Sequence, residues 1–226
     1  MKAGLWLATG LLVQAVAIGP AAAADWRALC AEPQSPEALE ACEAAVESSG
    51  DSEALHRLGA LLLRHGDEER ALRLLAGLAE RQPENSAVQF DYAAALATVR
   101  NYQAAARPIT AALRLGARDV RSYRLAAIIY EQLARPEEAF VFHHRLARLG
   151  DSIGMADLAW DYAVGRGTEA DLAAALSWYE KAADLGHVGA MLALAEAHRI
   201  GDLGLAPDAE RAQAWDDRAA RAVGGD

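Results

Sequence analysis

A constant period in the middle of the sequence constrains the fold of this chain more than any other feature. When this part is written in lines of 34 positions, so that Tyr92 falls under Leu58, apolar or small residues form four columns. The columns are Leu58-Gly59, Tyr92-Ala93 and Ala126-Ala127; Leu62, Leu96 and Tyr130; Ala71, Ala105 and Ala139; and Leu75, Ile109 and His143. Such a period is typical of a solenoid, in which identical supersecondary units stack and bury a continuous core.

Each period predicts two amphipathic helices joined by a turn. The turn-forming segments RHGDEERA, TVRNYQAA and QLARPEEA all precede the third column, whose small residue marks a close crossing of helices. Ala and Leu dominate the composition while Val, Ile, Thr and Phe are scarce, which favours helix over strand. No window shows the alternation of a strand. The sequence therefore predicts an all-α fold.

A second, longer period begins after residue 150. Residues of like type recur 36 positions apart and, past a loop, 37 positions apart. The pairs are Met155 and Met191, Leu158 and Leu194, Gly165 and Gly201, Asp171 and Asp208, and Trp178 and Trp215. The first copy contains Gly165-Arg166-Gly167 and, later, the run WYEKAADLG that starts at Trp178. This period also predicts helical hairpins, with a longer loop inside each hairpin.

The two periods resemble two related repeat families. Residues 52–150 resemble three tetratricopeptide repeats (TPRs), and Pro83 stands where that family usually has its inter-repeat proline. Residues 151–226 resemble two Sel-one-like repeats, the second of which has Asp216 in place of the usual aromatic and is expected to cap the solenoid. The resemblance is to a mixed TPR and Sel-one-like repeat protein of the exported bacterial type. It implies a right-handed α–α superhelix of antiparallel helical hairpins.

The first 24 residues have the layout of a secretory signal peptide. Lys2 supplies a positive start, an apolar run follows, and Ala22 and Ala24 form an A-x-A-like cleavage site before Asp25. An uncleaved anchor is the alternative, but a spanning helix needs about 20 apolar residues and this run is shorter. We therefore expect cleavage near Ala24 and a periplasmic or secreted protein with no integral membrane segment.

The two cysteines, Cys30 and Cys42, lie in the segment that follows. In an exported protein, two nearby cysteines are candidates for a disulfide. Residues 25–51 read as a short helix, a turn and a second helix that begins after Ser35, and we interpret them as a disulfide-stapled hairpin, a degenerate repeat. The chain lacks both the further ligands of a zinc site and the C-x-x-C motif of thiol exchange.

The charge of the chain excludes some classes of partner. The formal net charge is −10 at pH 7 and becomes about −11 if Lys2 is removed with the signal peptide. A chain this acidic has no electrostatic reason to bind nucleic acid or anionic lipid. Neither is therefore expected as a partner; the groove described below indicates a protein or peptide instead.

Three motifs that could suggest chemistry are better explained by structure. Gly165 and Gly167 follow no strand, so a tight turn is favoured over a phosphate site. Trp178 recurs at the repeat spacing, which favours packing in the core. His143 and His144 point about 100° apart on a helix, and His143 falls in an apolar column, which indicates a packed residue. No catalytic, cofactor-binding or metal-ligating residue is assigned.

The joint between the two Sel-one-like copies reads GHVG. Gly186 is expected to end a helix, and Gly189 is expected to let neighbouring hairpins pack closely. His187 lies at the turn, and the sequence indicates no partner for it.

The candidate binding site is the groove lined by the first helix of each repeat. Stacked hairpins curve and leave a concave surface that can accept a helix or an extended peptide. The groove residues proposed from the three TPR-like repeats are His56, Arg64, Phe90, Arg121, Arg124 and Glu131. Arg121 and Arg124, one turn apart, could bind an acidic group of a partner, or could form ion pairs with Glu131 or a neighbouring repeat.

The resemblance implies a scaffold without catalysis. Our leading hypothesis is an adaptor or regulator of an envelope complex or a signalling protein. One alternative is a Sel-one-like enzyme that binds a cell-wall ligand or hydrolyses β-lactams, although such proteins carry cysteine pairs in repeat after repeat. A further alternative is a structural protein that self-assembles through its solenoid ends. The sequence identifies neither the partner nor the oligomeric state.

Overall fold

A computed structural model describes Ala28 and residues 36–224 of the chain. Residues 36–224 form eleven α-helices and no strand. The helices are α1 (Pro36–Ser49), α2 (Ser52–Arg64), α3 (Glu68–Arg81), α4 (Ser86–Thr98), α5 (Tyr102–Arg114), α6 (Val120–Gln132), α7 (Pro136–Arg148), α8 (Ser152–Val164), α9 (Leu172–Asp184), α10 (Val188–Ile200) and α11 (Ala209–Gly224). The predicted all-α solenoid is confirmed.

Short polar side chains start most of these helices. In each case the side-chain oxygen accepts a hydrogen bond from a backbone N–H group of the first turn, which has no partner within the helix. The N-caps of this kind are Asp51, Asp67, Asn85, Asn101, Asp119, Asp151 and Asp171. Helix α7 begins with Pro136, whose fixed φ angle suits the first helical position. These signals set the helix boundaries and so the register of the repeats.

The helices are stacked in the order of the chain. Each helix packs against the one before it and the one after it, and α4 also contacts the first helices of both adjacent repeats, α2 and α6. All four predicted columns lie in the interface; Leu62, Leu75 and Ile109, for example, are fully buried. The period of the sequence is therefore the period of the core.

The hairpin turns differ between the two kinds of repeat. In the TPR-like hairpins the turn contains one left-handed residue, which is Gly66, Arg100 or Ala134. In the Sel-one-like hairpins a left-handed glycine, Gly165 or Gly201, ends the first helix and a longer loop follows. The prediction that Gly165 belongs to a turn is confirmed.

Gly167 brings this longer loop into contact with the preceding repeat. Its φ angle is +73°, and a Cβ atom there would lie 2.2 Å from the carbonyl oxygen of Pro136. Any side chain would therefore displace the backbone at the start of α7. Gly167 acts as a tight-turn residue, as predicted, and also as a contact between the two kinds of repeat.

The N-terminal predictions fall partly outside the described residues. The proposed signal peptide, its cleavage site near Ala24 and Cys30 all lie there. Cys42 is fully buried on α1, against the core formed with α2 and α3. Its pairing with Cys30 stays a prediction. Among the described residues, no helix is long and apolar enough to cross a membrane.

Candidate binding groove

The first helices of the five complete hairpins share one face of the solenoid, which we call the first-helix face. These helices are α2, α4, α6, α8 and α10, and aligning their first residues gives a common register. One column of this register contains His56, Phe90, Arg124, Ala156 and Leu192. The groove predicted from the sequence covers the first three of these helices, and the same register continues through α8 and α10.

At the N-terminal end of this face, His56 is bound within the protein. Its Nε2 atom lies 2.7 Å from the Oδ2 atom of Asp91 on the next repeat, and both side chains are about four-fifths buried. The contact joins two neighbouring repeats. The structure therefore places His56 in the groove wall, where it fixes α2 against α4.

Phe90 and Arg121 form the next part of the groove. The guanidinium carbon of Arg121 lies 5.1 Å from the centre of the Phe90 ring, within the range of a cation–π contact. Both residues, with Arg64 and Asp119, line a cavity of about 450 Å³. A backbone hydrogen bond from Ser122 lowers the pKa of Asp119, which caps α6. Three of the predicted groove residues are thus brought together.

Arg124 has a different role from Arg121, although the two are one turn apart. Its Nη2 atom lies 2.6 Å from the Oδ1 atom of Asp151. Asp151 also caps α8, because its Oδ2 atom accepts a hydrogen bond of 2.8 Å from the N–H group of Gly154. Of the two roles considered for this arginine pair, Arg124 takes the ion pair with a neighbouring repeat.

Glu131 belongs to a buried charge cluster between the third and fourth hairpins. It forms an ion pair with Arg166, whose Nε atom also lies 3.0 Å from the Oδ1 atom of Asp161. The other carboxylate oxygen of Asp161 lies 2.6 Å from the Nδ1 atom of His143. His143 and Asp161 are 1% and 0% exposed. Glu131 is therefore one member of an internal network and a poor partner-binding residue.

The prediction that His143 is packed is confirmed, and its partner is Asp161. In the register of the first helices, Asp161 takes the place of Leu61, Ala95 and Ile129. His143 likewise takes the place of apolar residues in its own column. The acid and the imidazole thus replace apolar residues on facing helices. Since an isolated charge buried there would be costly, each group serves as the hydrogen-bonding partner of the other. Both are shielded from solvent, which excludes a role in contacting a substrate.

The helix pattern of the sequence places Ile128 on the groove face, but the other residues of the apolar part of the groove were not predicted. Ile128, Ile153, Trp160 and Leu192 lie on the first-helix face and are 42–51% exposed. Trp160 also packs under Arg166, whose guanidinium carbon lies 4.7 Å from the ring centre. The signal that would have found Ile153, Trp160 and Leu192 is the spacing of the N-caps, because Asp151 follows Asp119 by two positions fewer than Asp119 follows Asn85.

The joint between the two Sel-one-like copies is structural. His187 caps α10, since its Nδ1 atom accepts a hydrogen bond of 3.0 Å from the N–H group of Ala190. The interpretation of Gly189 as a close contact between hairpins is wrong, because the nearest atoms to a Cβ atom there belong to the His187 ring, at 3.1 Å. Trp178 is partly buried against the core, with the Nζ atom of Lys181 3.9 Å from its ring centre.

Within the described residues, no group of three or more His, Cys, Asp or Glu side chains is placed to hold a metal ion. What the first-helix face offers is exposed apolar area beside cations. Aromatic, aliphatic and arginine side chains in this arrangement are the usual anchors of a protein interface.

Comparison with known families finds a match to parts of the chain. A family model described as "Sel1 repeat" matches residues 52–76, 152–187 and 188–222. The first match falls in the segment whose period resembles that of TPRs, and the division of the chain at residues 51 and 150 stays a prediction. No curated protein matches the chain.

Solved structures of similar architecture include a Sel1 repeat protein from Oxalobacter formigenes, which is 26% identical over 88% of each chain with a TM-score of 0.60. YrrB, described as a TPR protein with an unusual peptide-binding site, is 20% identical to this chain. The match covers 81% of this chain and 93% of YrrB, with a TM-score of 0.64. MamA from Desulfovibrio magneticus RS-1 is 18% identical. The match covers 73% of this chain and 94% of MamA, with a TM-score of 0.60. The latter two show the fold alone.

Proposed function

We propose that this mixed TPR and Sel-one-like repeat protein is a periplasmic or secreted adaptor that binds a protein partner, without catalysis, in the groove of its first-helix face. The repeat family and the architecture support a protein-binding scaffold. The observation that carries the location of the site is the exposed apolar surface of Ile128, Trp160 and Leu192 on successive first helices.

The middle and the C-terminal half of the groove offer different side chains, and this difference indicates what kind of segment the partner presents. Its middle carries Arg121 and Arg124, and its C-terminal half carries Trp160 and Leu192. A partner segment with apolar side chains on one face and a carboxylate near one end matches this order. An amphipathic helix in the groove is one recurring mode of such recognition, and an extended peptide is another. YrrB, with its peptide-binding site, is a precedent for this architecture in peptide recognition.

The carboxylate of the partner has a defined place to bind. Arg124 is 45% exposed in its side chain even when paired with Asp151, and Arg121 is exposed above the Phe90 ring. A carboxylate between these two guanidinium groups would gain charge-assisted hydrogen bonds. Since Arg121 is held by an aromatic ring and Arg124 by an acid, both are positioned before a partner arrives.

The adaptor function is tested by quantitative affinity capture. Wild-type protein should recover a defined partner from an extract of the exported fraction of the source cells. W160A and L192A should each reduce recovery at least about tenfold, as expected for residues at the centre of an interface. The matched control is L185A, since Leu185 is also an exposed leucine but lies in the turn after α9.

Two results would contradict the proposal. One is equal recovery of the partner by wild type and by W160A and L192A. The other is an equal loss with L185A, which would indicate a general effect of removing exposed apolar area. Thermal unfolding of each variant serves to exclude a loss of fold.

The exported location has a separate test. N-terminal sequencing of the protein isolated from its native cells should begin at Asp25, and mass mapping without reduction should join Cys30 to Cys42. A mature chain that begins at Met1 would contradict export by cleavage, and two free thiols would contradict the disulfide.

A further inference from the structure

A second cavity lies on the side of the solenoid formed by the second helices, between α5 and α7, with residues of α6 contributing to its floor. Its volume is about 610 Å³. We call it the arginine pocket, because it is lined by Arg114, Arg118 and Arg145 together with Tyr123, Tyr130 and Phe142. None of its residues belongs to the groove described above.

The three arginines are not neutralised by the part of the chain that the structure describes. No carboxylate oxygen of these residues lies within 4.0 Å of a nitrogen atom of Arg114, Arg118 or Arg145, and no Asp or Glu lines the cavity. Arg70 and Arg124, by contrast, each have such a partner. Three cations around one cavity repel one another, so an anion in the cavity would be attracted by all three.

The sequence concentrates positive charge here. Residues 92–118 contain no Asp or Glu and four arginines, in a chain with 32 acidic and 22 basic residues. Arg107 and Arg114 are seven positions apart on α5 and so lie on one side of that helix. Arg107 and Arg114 also line a neighbouring cavity with Glu80 and Glu84, so the surplus of positive charge is concentrated at the arginine pocket, which no Asp or Glu lines.

The floor of the pocket is aromatic and ordered. The ring centre of Phe142 lies 5.6 Å from that of Tyr130 and 6.1 Å from that of Tyr123. The guanidinium carbon of Arg145 lies 5.4 Å from the ring centres of both Tyr123 and Phe142. The hydroxyl groups of Tyr130 and Thr110 are 3.0 Å apart. Arg145 is thus held against a fixed surface while the residue stays exposed at the cavity.

Helix dipoles explain part of this arrangement. Arg114 and Arg145 lie in the last turns of α5 and α7, where a positive charge is favourable. The same argument applies to Arg148, which is also exposed in the last turn of α7 but does not line the cavity. The helix dipole therefore accounts for arginines at helix ends but not for the convergence of three arginines on one cavity. Arg148 provides a matched control for the effect of charge at the end of α7.

We propose that the arginine pocket binds an acidic peptide segment of a partner protein. Carboxylates of such a segment would accept hydrogen bonds from the guanidinium groups, and an adjacent apolar side chain would cover the aromatic floor. A long polyanion or an anionic membrane is disfavoured, because contact with more of a chain of net charge −10 adds repulsion. This surface goes beyond the proposed function: it is a second contact, on the side of the second helices.

The probe is a fluorescein-labelled octapeptide of alternating Glu and Leu, compared with a peptide that has Gln in place of each Glu. Binding to the full chain is measured by fluorescence anisotropy. We expect the Glu peptide to bind at least about tenfold more tightly than the Gln peptide, and to weaken as salt rises from about 20 to about 200 mM. R114Q and R145Q should each weaken the binding of the Glu peptide at least about fivefold.

Two variants separate recognition from stability and from net charge. R114K keeps the positive charge at the end of α5 but loses the planar fork of donors, so it should weaken binding without changing the unfolding temperature. R148Q removes one positive charge from the same face and should change binding less than about twofold. R114Q and R145Q should weaken binding of the Glu peptide by the same factor in a W160A background as in the wild-type background, which keeps this test independent of the adaptor proposal.

Three outcomes would overturn the proposal. The first is equal affinity for the Glu and Gln peptides. The second is an equal loss of binding in R148Q and R114Q, which would show a general charge effect. The third is displacement of the Glu peptide by inorganic phosphate, an anionic lipid vesicle or an oligonucleotide at lower concentration than by unlabelled Glu peptide, since the pocket would then belong to another class of ligand.

Discussion

The two halves of the first-helix face use charge differently, although the same helical hairpin builds both. From α2 to α6, polar and charged side chains bind the next repeat, as His56 binds Asp91 and Arg124 binds Asp151. In α8 and α10, by contrast, Ile153, Trp160 and Leu192 are exposed, and the carboxylate of Asp161 lies inside, paired with His143 of α7. The comparison shows that one scaffold presents different chemistry along one face: the N-terminal half carries polar contacts between repeats, and α8 and α10 carry exposed apolar side chains.

Among the variants that test this comparison, those of the buried pair of His143 and Asp161 should have the largest effect on stability. D161A should lower the free energy of unfolding by about 3–5 kcal/mol, because it leaves the His143 and Arg166 side chains without their buried partner. Urea denaturation measures this difference. The double variant H143I/D161A restores apolar residues typical of the two columns and should recover most of the loss. An equal loss in the single and the double variant would contradict the role given to the pair.

The loop of the first Sel-one-like hairpin provides the second comparison. G167A should destabilise the protein by about 2–3 kcal/mol or more, because the new Cβ atom meets the backbone of Pro136 and the φ angle is positive. G186A is the matched control, since its φ angle is +86° and no atom lies within 4 Å of a Cβ atom there. It should cost only about 1 kcal/mol. Equal thermal shifts for the two variants would contradict the contact between loop and α7.

A cap of the N-terminal half gives a smaller, pH-dependent effect. D119A should cost about 1 kcal/mol at pH 7 through the loss of the α6 cap. Because the hydrogen bond from Ser122 lowers the folded-state pKa of Asp119, its stabilisation is present above the unfolded-state pKa and is lost as pH falls through the folded value. The difference between wild type and D119A should therefore shrink in acid. A constant difference from pH 7 to pH 3 would show that the carboxylate charge is unimportant.

The effect of Asp157 in the C-terminal half on the free energy of unfolding should depend on pH in the opposite sense to that of Asp119. It should also be the smallest of the effects considered. Burial raises the pKa of Asp157 on α8. A raised folded-state pKa gives stability that is present below the unfolded-state pKa and lost as pH rises through the folded value. D157N should therefore be more stable than wild type at pH 7, by about 0.5 kcal/mol, and equal to it near pH 3. A D157N variant that is less stable at pH 7 would contradict the desolvation of Asp157.

The sequence predicted the fold well because the fold is periodic. A burial column such as Leu75, Ile109 and His143 is visible whenever the spacing is constant, and the structure places all three in the core. The burial of Asp161 could not be predicted from the columns, since α8 begins two positions earlier than the constant 34-residue period requires. For that reason the partner of His143 could not be found from the period.

The groove could be predicted only in part for the same reason. Phe90 and Arg121 were assigned to it from their helix face, and they line one cavity. Glu131 was assigned to it in the same way, but its side chain turns to Arg166 of a later loop, and a one-dimensional pattern contains no information on such a contact. Trp160 and Leu192 were missed because they lie beyond the change in spacing.

The most direct test of this account is site-specific photocrosslinking in the native cells. A benzoylphenylalanine at position 160 in the groove is compared with the same group at position 185, in the turn after α9. We predict a discrete crosslinked partner from position 160 that is lost when L192A is added, and none from position 185. Crosslinks of equal yield and identity from both positions, or a crosslink from position 185 alone, would contradict the claim that the C-terminal half of the first-helix face is the recognition surface.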